Sequence, residues 1–202
     1  SGVGLAVYLW WLAVYPDLGT ALRFAMFNTV SIATTTGFSS TDYAQWPMFA
    51  GLWMLFLSSF STSAGSTGGG IKMVRAAILY QQVYREFVRI LHPSAYTQVK
   101  FGGSVVPNAI VFAVLAFLFV YIAIIVSLTL VMVASGLDVL TAFSAVVACV
   151  NNTGPGLGEV GPSSNYQSLT DFQTWICTFA MLLGRLELFT LLIVFTPVFW
   201  RK

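Results

Sequence analysis

Residues Ser59–Arg75 read SFSTSAGSTGGGIKMVR. Small hydroxyl residues and four glycines (Gly65, Gly68, Gly69, Gly70) lead to Lys72, a composition that suggests a phosphate-cradling loop. The spacing fails that test. Counted from Gly65, Gly70 stands where a Walker loop needs its second glycine, but Lys72 arrives one residue late. No Ser or Thr follows to hold magnesium, and no strand precedes. The stretch lies instead between LWMLFL (52–57) and AAILY (76–80), inside an apolar run. Each glycine in a helix costs about 1 kcal/mol relative to alanine, so Ala64–Gly70 reads as a break in that helix. A break at membrane depth persists only where protein or a water-filled cavity takes up the freed backbone.

Composition agrees that the surrounding solvent is lipid. The 202 residues are 57% hydrophobic and 8% charged, against roughly 25% charged in a soluble domain. Cys149 and Cys177 lie in apolar runs and read as buried small hydrophobes, not a disulfide framework. The chain does not begin with methionine, and Val3–Tyr15 is an apolar run of 13 residues, where a span needs about 20. No basic residue precedes it and no cleavage site follows, so a signal peptide is not expected. The expectation is a fragment that begins inside a helix.

Outward from the glycine stretch, one order of segments occurs twice. Val3–Tyr15 is a truncated span. Thr20–Ile32 is an apolar half-helix running into ATTTGFSS, and Pro47 opens a second span that stops at the glycines; Ile71–Leu91 continues beyond them. Then Pro107–Ala134 is long enough to cross, Asp138–Val150 is another half-helix running into NNTGPGLG, and Phe172–Trp200 is a last span. Aligning Gly37 with Gly154 also matches Thr36 with Thr153 and Ala25 with Ala142. The expected fold is all-α, a polytopic membrane protein of helix–pore-loop–helix repeats. Its units are 1–91, with an interrupted inner helix, and 107–202. A connector at 92–106 carries Gly102-Gly103, the signal of a short hairpin.

Charge orients the chain. The side with the half-helix loops holds Asp17, Arg23, Asp42, Asp138, Glu159 and Asp171; the other holds Lys72, Arg75, Arg85, Glu86, Arg89, Lys100, Arg201 and Lys202. The positive-inside rule places the half-helix loops outside, and Lys72–Lys100, the hairpin and the C-terminus in the cytoplasm. Arg185 and Glu187 remain inside the last span. A lone arginine at a helix centre costs about 2.5–3.5 kcal/mol by insertion scales. Glu187, two positions away, faces another side of the helix. Carbonyls of the glycine stretch are candidate partners for Arg185, and another helix for Glu187.

Enzyme chemistry finds no support. The single histidine, His92, stands at a helix end before a proline, and no GxSxG, HExxH or CxxC pattern occurs. Asn151-Asn152-Thr153 matches a glycosylation sequon but would be inaccessible at a buried half-helix end. Thr34-Thr35-Thr36-Gly37 and Asn151-Asn152-Thr153-Gly154 suit a different task. Backbone carbonyls can replace a cation's hydration shell, glycine supplies the positive φ that aims them, and the half-helix C-terminus is partly negative. Neither stretch carries a charge, which favours a monovalent cation. Helix-packing glycines and a broken-helix transporter site fit the same pattern.

SIATTTGFSSTDYAQWP, AGSTGGGIKMVR, NNTGPGLG and MLLGRLE, taken in order, resemble the TrkH-like subunits of the bacterial Trk/Ktr potassium uptake family. The resemblance covers essentially the whole chain and implies four repeats around one pore, distantly related to potassium channels, with this chain as the third and fourth. It implies that Thr34–Gly37 and Asn151–Gly154 are two of four filter strands binding potassium through main-chain oxygens. It implies that Ala64, Gly65, Ser66, Thr67, Gly68, Gly69 and Gly70 form an intramembrane gating loop faced by Arg185. It further implies a multi-pass protein of the bacterial inner membrane, completed by an N-terminal half absent from this chain. Homodimerisation and a cytoplasmic ring of nucleotide-binding regulatory subunits are also implied. No covalent cofactor and no nucleic acid is expected. The competing expectations are a secondary transporter for another small solute and a non-conducting membrane scaffold.

Overall fold

Aspartates cap the two half-helices, and prolines precede two of the other helices. The computed structural model describes residues 1–60, 69–92 and 97–185. Within these, the order is α1 (Gly2–Trp11), α2 (Leu18–Ala33), α3 (Met48–Phe60), α4 (Met73–Leu91), β1 (Lys100–Phe101), β2 (Ser104–Val105), α5 (Asn108–Ala134), α6 (Val139–Val150) and α7 (Asp171–Arg185). The half-helices expected at Thr20–Ile32 and Asp138–Val150 are α2 and α6. Asp17 caps α2, its carboxylate accepting from the Thr20 backbone N–H and hydroxyl, both at 2.7 Å. These hydrogen bonds, the backbone one foremost, hold the Asp17 carboxyl below its usual pKa. Asp138 caps α6 through Leu140 N–H at 3.1 Å. Pro47 and Pro107 stand just before α3 and α5, where their missing N–H costs nothing.

α5 has 27 residues, about 40 Å at 1.5 Å per residue. Among the described residues it is the helix both long and apolar enough to cross a membrane; α1, α3 and α6 are apolar but shorter. Its outer face exposes Phe112, Phe119, Ile122, Val126 and Leu130. The α6 half-helix is its opposite. Nine of its twelve residues are buried, because it is wedged between α3, α5 and α7. α2 packs on α1 and α3 along one face only, leaving Met26, Phe27 and Val30 exposed. Ala25 and Ala142, paired by the sequence alignment, are both fully buried.

Two large apolar clusters fill the described interior, with a smaller one at Ile78, Val99, Val111 and Val114. One joins Leu5, Leu9, Ala25, Ile32, Tyr43, Trp46 and Met54; the other joins Phe117, Tyr121, Met132, Ala145, Val150, Ala180 and Leu183. Val147 of α6 and Leu157 just beyond it belong to the first cluster, so α6 fastens the second half of the chain to the first. The expected hairpin is present. Gly102 (φ 56°) and Gly103 (φ 84°) make the turn, and Lys100 pairs with Val105, Phe101 with Ser104. The Lys100 N–H donates to Gln81 Oε1 at 2.9 Å, docking the hairpin on α4. Arg75 of α4 stacks its guanidinium over Phe117 of α5, 4.0 Å from the ring centroid.

The burial of α6 gives a direct prediction. Ala145→Leu, inserted where no space exists, is expected to destabilise the detergent-solubilised full-length protein by about 1–3 kcal/mol. Val126→Leu on the exposed face of α5 is expected to stay within about 0.5 kcal/mol. Thermal melting of both variants checks the difference.

Candidate functional site

Both half-helices end the same way. After α2, Thr36 N–H donates to Ser31 O at 2.8 Å and Thr35 N–H to Ile32 O at 3.0 Å. After α6, Thr153 N–H donates to Ala148 O at 2.9 Å and Asn152 N–H to Cys149 O at 3.0 Å. This pair of bonds is the Schellman motif, which requires a left-handed residue just past the cap. Thr35 and Asn152 fill that place, each with φ 54°. Asparagine tolerates the conformation, whereas a β-branched threonine there is strained. Two residues later come Gly37 (φ 84°) and Gly154 (φ 102°). The sequences TTTG and NNTG differ, yet their backbones turn at the same two positions.

The motif satisfies the helix ends and leaves the strands beyond them open. Among the described residues, no donor reaches the carbonyls of Thr34, Thr35, Thr36 or Gly37, nor those of Asn151, Asn152 or Thr153. Two half-helix C-termini, each a partial negative charge, stand behind these oxygens. The strands also meet. A β-carbon on Gly37 would collide with the Thr153 carbonyl and reach Pro155 Cδ at 3.4 Å. Gly37 is therefore required twice, by its positive φ and by the neighbouring strand.

Side chains hold each strand from behind. Thr34 Oγ1 donates to Val30 O at 2.8 Å and accepts from Thr36 Oγ1 at 2.8 Å. Asn28 donates to Ser40 Oγ at 3.0 Å and accepts from Ser40 N–H at 3.2 Å, tying the loop after Gly37 to α2. In the second strand Ser144 does the equivalent, accepting from Leu157 N–H at 2.9 Å. Tyr166 donates its hydroxyl to Gly154 O at 2.8 Å. Burial raises the Tyr166 pKa far above neutrality, so it remains a donor. Asn151 is fully buried and bonded through its side chain to Tyr121, Ser58 and Ser59.

The expected gating residues fall beside the second strand where they are described. A β-carbon on Gly69 would collide with the Asn151 carbonyl, and one on Gly70 would lie 3.2 Å from Asn151 Oδ1. On α7, Gly184 lets the helix touch the Val150 carbonyl, and Asn152 Nδ2 donates to Met181 O at 3.2 Å. Arg185 follows Gly184 directly, so α7 brings it to the end of α6. Ala64, Gly65, Ser66, Thr67, Gly68 and Glu187 lie outside the described residues. Sequence reasoning missed Asn28, Ser58, Ser59, Tyr121, Ser144 and Tyr166. For Asn28, Tyr121 and Ser144 the available signal was a polar group isolated in an apolar helix.

Comparison with known proteins follows the same outline. Residues 13–202 match the family model described as TrkH, cation transport protein. The chain is 48% identical, over 88% of its length, to the Trk system potassium uptake protein TrkH of Vibrio parahaemolyticus, of which it covers 36%. It is 41% identical to the TrkH of Escherichia coli and 36% identical to that organism's TrkG, over 96% of this chain and 40% and 39% of theirs. The crystal structure of the potassium transporter TrkH from Vibrio parahaemolyticus superposes with a TM-score of 0.92 at 44% identity, covering 99% of this chain and 42% of that one. The chain thus spans about two fifths of the length of these relatives.

The left-handed positions give a test. Thr35→Asn is expected to raise stability by up to about 1 kcal/mol by relieving a strained φ. Asn152→Thr is expected to lower it by about 1–3 kcal/mol, adding strain and removing the bond to Met181. Paired melting curves of the full-length variants decide it.

Proposed function

The chain belongs to the TrkH cation transport protein family, and on that premise we propose that it forms half of a potassium-conducting pore. In this reading 1–91 and 107–202 are the third and fourth helix–pore-loop–helix repeats of a subunit in the bacterial inner membrane, joined by the connector 92–106. The rest of the subunit supplies the other two. Potassium is the cargo, held by main-chain oxygens of Thr34–Gly37 and Asn151–Gly154. The observation that carries this is the pair of adjacent strands with matched turns and carbonyls that, Gly154 apart, no described donor occupies. In a membrane, acceptors left open at a helix break need a partner, and a partly dehydrated cation is a suitable one. No carboxylate belongs to either strand, which favours a monovalent ion.

Ala64–Gly70 is the gate, with Arg185 controlling it. The position of Gly69 and Gly70 against Asn151, and of Gly184–Arg185 against the end of α6, supports an obstruction immediately inside the filter. The exposed face of α2 formed by Met26, Phe27 and Val30 suits packing against a preceding repeat. The filter loops face outward, and Lys72–Lys100 with the hairpin faces the cytoplasm, where it is available to a nucleotide-binding regulatory ring; the assembled subunit is a homodimer.

Ion flux tests the reading. Rubidium uptake by the reconstituted full-length subunit, without any organic solute, is expected, and its absence would favour a coupled solute transporter. Gly37→Ala is expected to reduce discrimination of potassium over sodium; unchanged discrimination in a folded variant removes Gly37 from the filter. Deleting Gly68–Gly70, or Arg185→Ala, is expected to raise rubidium flux. If both variants fold and neither conducts faster than the parent, the glycine segment is a packing break and not a gate.

A further inference from the structure

Asn151 occupies an unusual place in this apolar protein. Its carboxamide is fully buried with every hydrogen-bonding group used. Tyr121 on α5 donates to Asn151 Oδ1 at 2.8 Å. Asn151 Nδ2 donates to Ser58 Oγ at 2.9 Å and Ser59 Oγ at 3.0 Å, both on α3. Each serine then donates to Leu55 O, at 2.7 and 3.3 Å. The hydrogens run in one direction, Tyr121 to Asn151 to the serines to a helix carbonyl. That order fixes which end of the amide is oxygen: both serine hydrogens go to Leu55 O, so the group facing the hydroxyls must be the N–H₂, and a carboxylate in its place could donate to neither serine.

Three parts of the chain converge on this cluster. α3 ends just beyond it at Phe60, so the glycine segment departs from it. The segment returns to it: Ile71 N–H donates to Ser59 O at 2.8 Å, and Gly69 and Gly70 pack on Asn151. The backbone of Asn151 begins the second filter strand. Thr34, at the equivalent place in the first strand, instead turns its hydroxyl back onto its own helix at Val30. The clasp therefore belongs to one strand, the one against which Gly69 and Gly70 lie.

We propose that Tyr121, Ser58 and Ser59 are positioning residues that act through Asn151, setting the geometry of the second filter strand and coupling it to Gly69–Ile71. Ion selectivity then depends on hydroxyls that touch no ion. A displacement of Gly69–Ile71 strains Ser59, whose carbonyl accepts from Ile71 N–H, and Asn151 transmits that strain to the carbonyls of Asn152 and Thr153. The proposal rests on the potassium-filter reading above and adds to it a specific control of that filter.

The test is competitive rubidium and sodium uptake by the reconstituted full-length subunit carrying Tyr121→Phe, Ser59→Ala or Asn151→Asp, with Gly37→Ala as reference. Tyr121→Phe removes one oxygen without changing shape and is expected to lower the rubidium-to-sodium ratio about fivefold, the equivalent of one hydrogen bond. Combining it with Ser59→Ala is expected to cost less than the product of the two single effects, because both act through one amide. A packing role alone would lower thermal stability and leave the ratio intact, so melting is measured on the same samples. If Gly37→Ala lowers the ratio while Tyr121→Phe, Ser59→Ala and Asn151→Asp all leave it at the parent value, the clasp is overturned and the filter stands. If Gly37→Ala also leaves it unchanged, the filter reading falls and the clasp falls with it.

Discussion

A helix interrupted at membrane depth frees backbone groups that lipid cannot satisfy, and the described structure is arranged around where those groups go. At the C-termini of α2 and α6 the amides are folded back by Schellman bonds, while among the described residues no donor reaches the carbonyls from Thr34 to Gly37 or from Asn151 to Thr153. At the glycine break, Ile71 N–H returns to Ser59 O. The elements between these points serve to keep them in place. α6 is short, with nine of its twelve residues buried; α3 and α7 clamp it, and the 27-residue α5 packs behind it.

The two strands reach the same backbone by different chemistry. The first depends on threonine hydroxyls turned onto their own helix and accepts a strained left-handed Thr35. The second uses asparagines: Asn152 takes the left-handed turn with less strain, and Asn151 spends its side chain on a buried cluster. Tyr166 further anchors Gly154 from the outer loop. The first strand is thus held locally, the second by α3, α5, α7 and the outer loop together. A change in the packing of those elements acts on the second strand first.

Much of this was legible from residues. The half-helices followed from apolar runs too short to cross. The turns followed from Gly37 and Gly154, and the hairpin from Gly102-Gly103, because each rests on local backbone chemistry. α4 begins at Met73 and not at the expected Ile71, since Gly70 and Lys72 both take positive φ. The left-handed Thr35 was not legible, because a β-branched residue is the last choice there and only the strand it serves holds it. Nor was the Asn151 clasp. Ser58 and Ser59 read as the edge of a hydroxyl-rich break and Tyr121 as one aromatic in a long apolar run, and only tertiary packing brings the three together. The repeated pattern marked where the strands are; the polar groups that hold them are specific to each repeat and left no periodic trace.

The most direct test of the central claim is the position of the ion. Crystals of the full-length subunit grown in rubidium or thallium would locate it by anomalous scattering. The account predicts density on the axis between the main-chain oxygens of Thr35 and Thr36 on one strand and Asn152 and Thr153 on the other, outward of Gly69. Density confined to carboxylate side chains of the loops, with none between the strands at saturating ion, would contradict it.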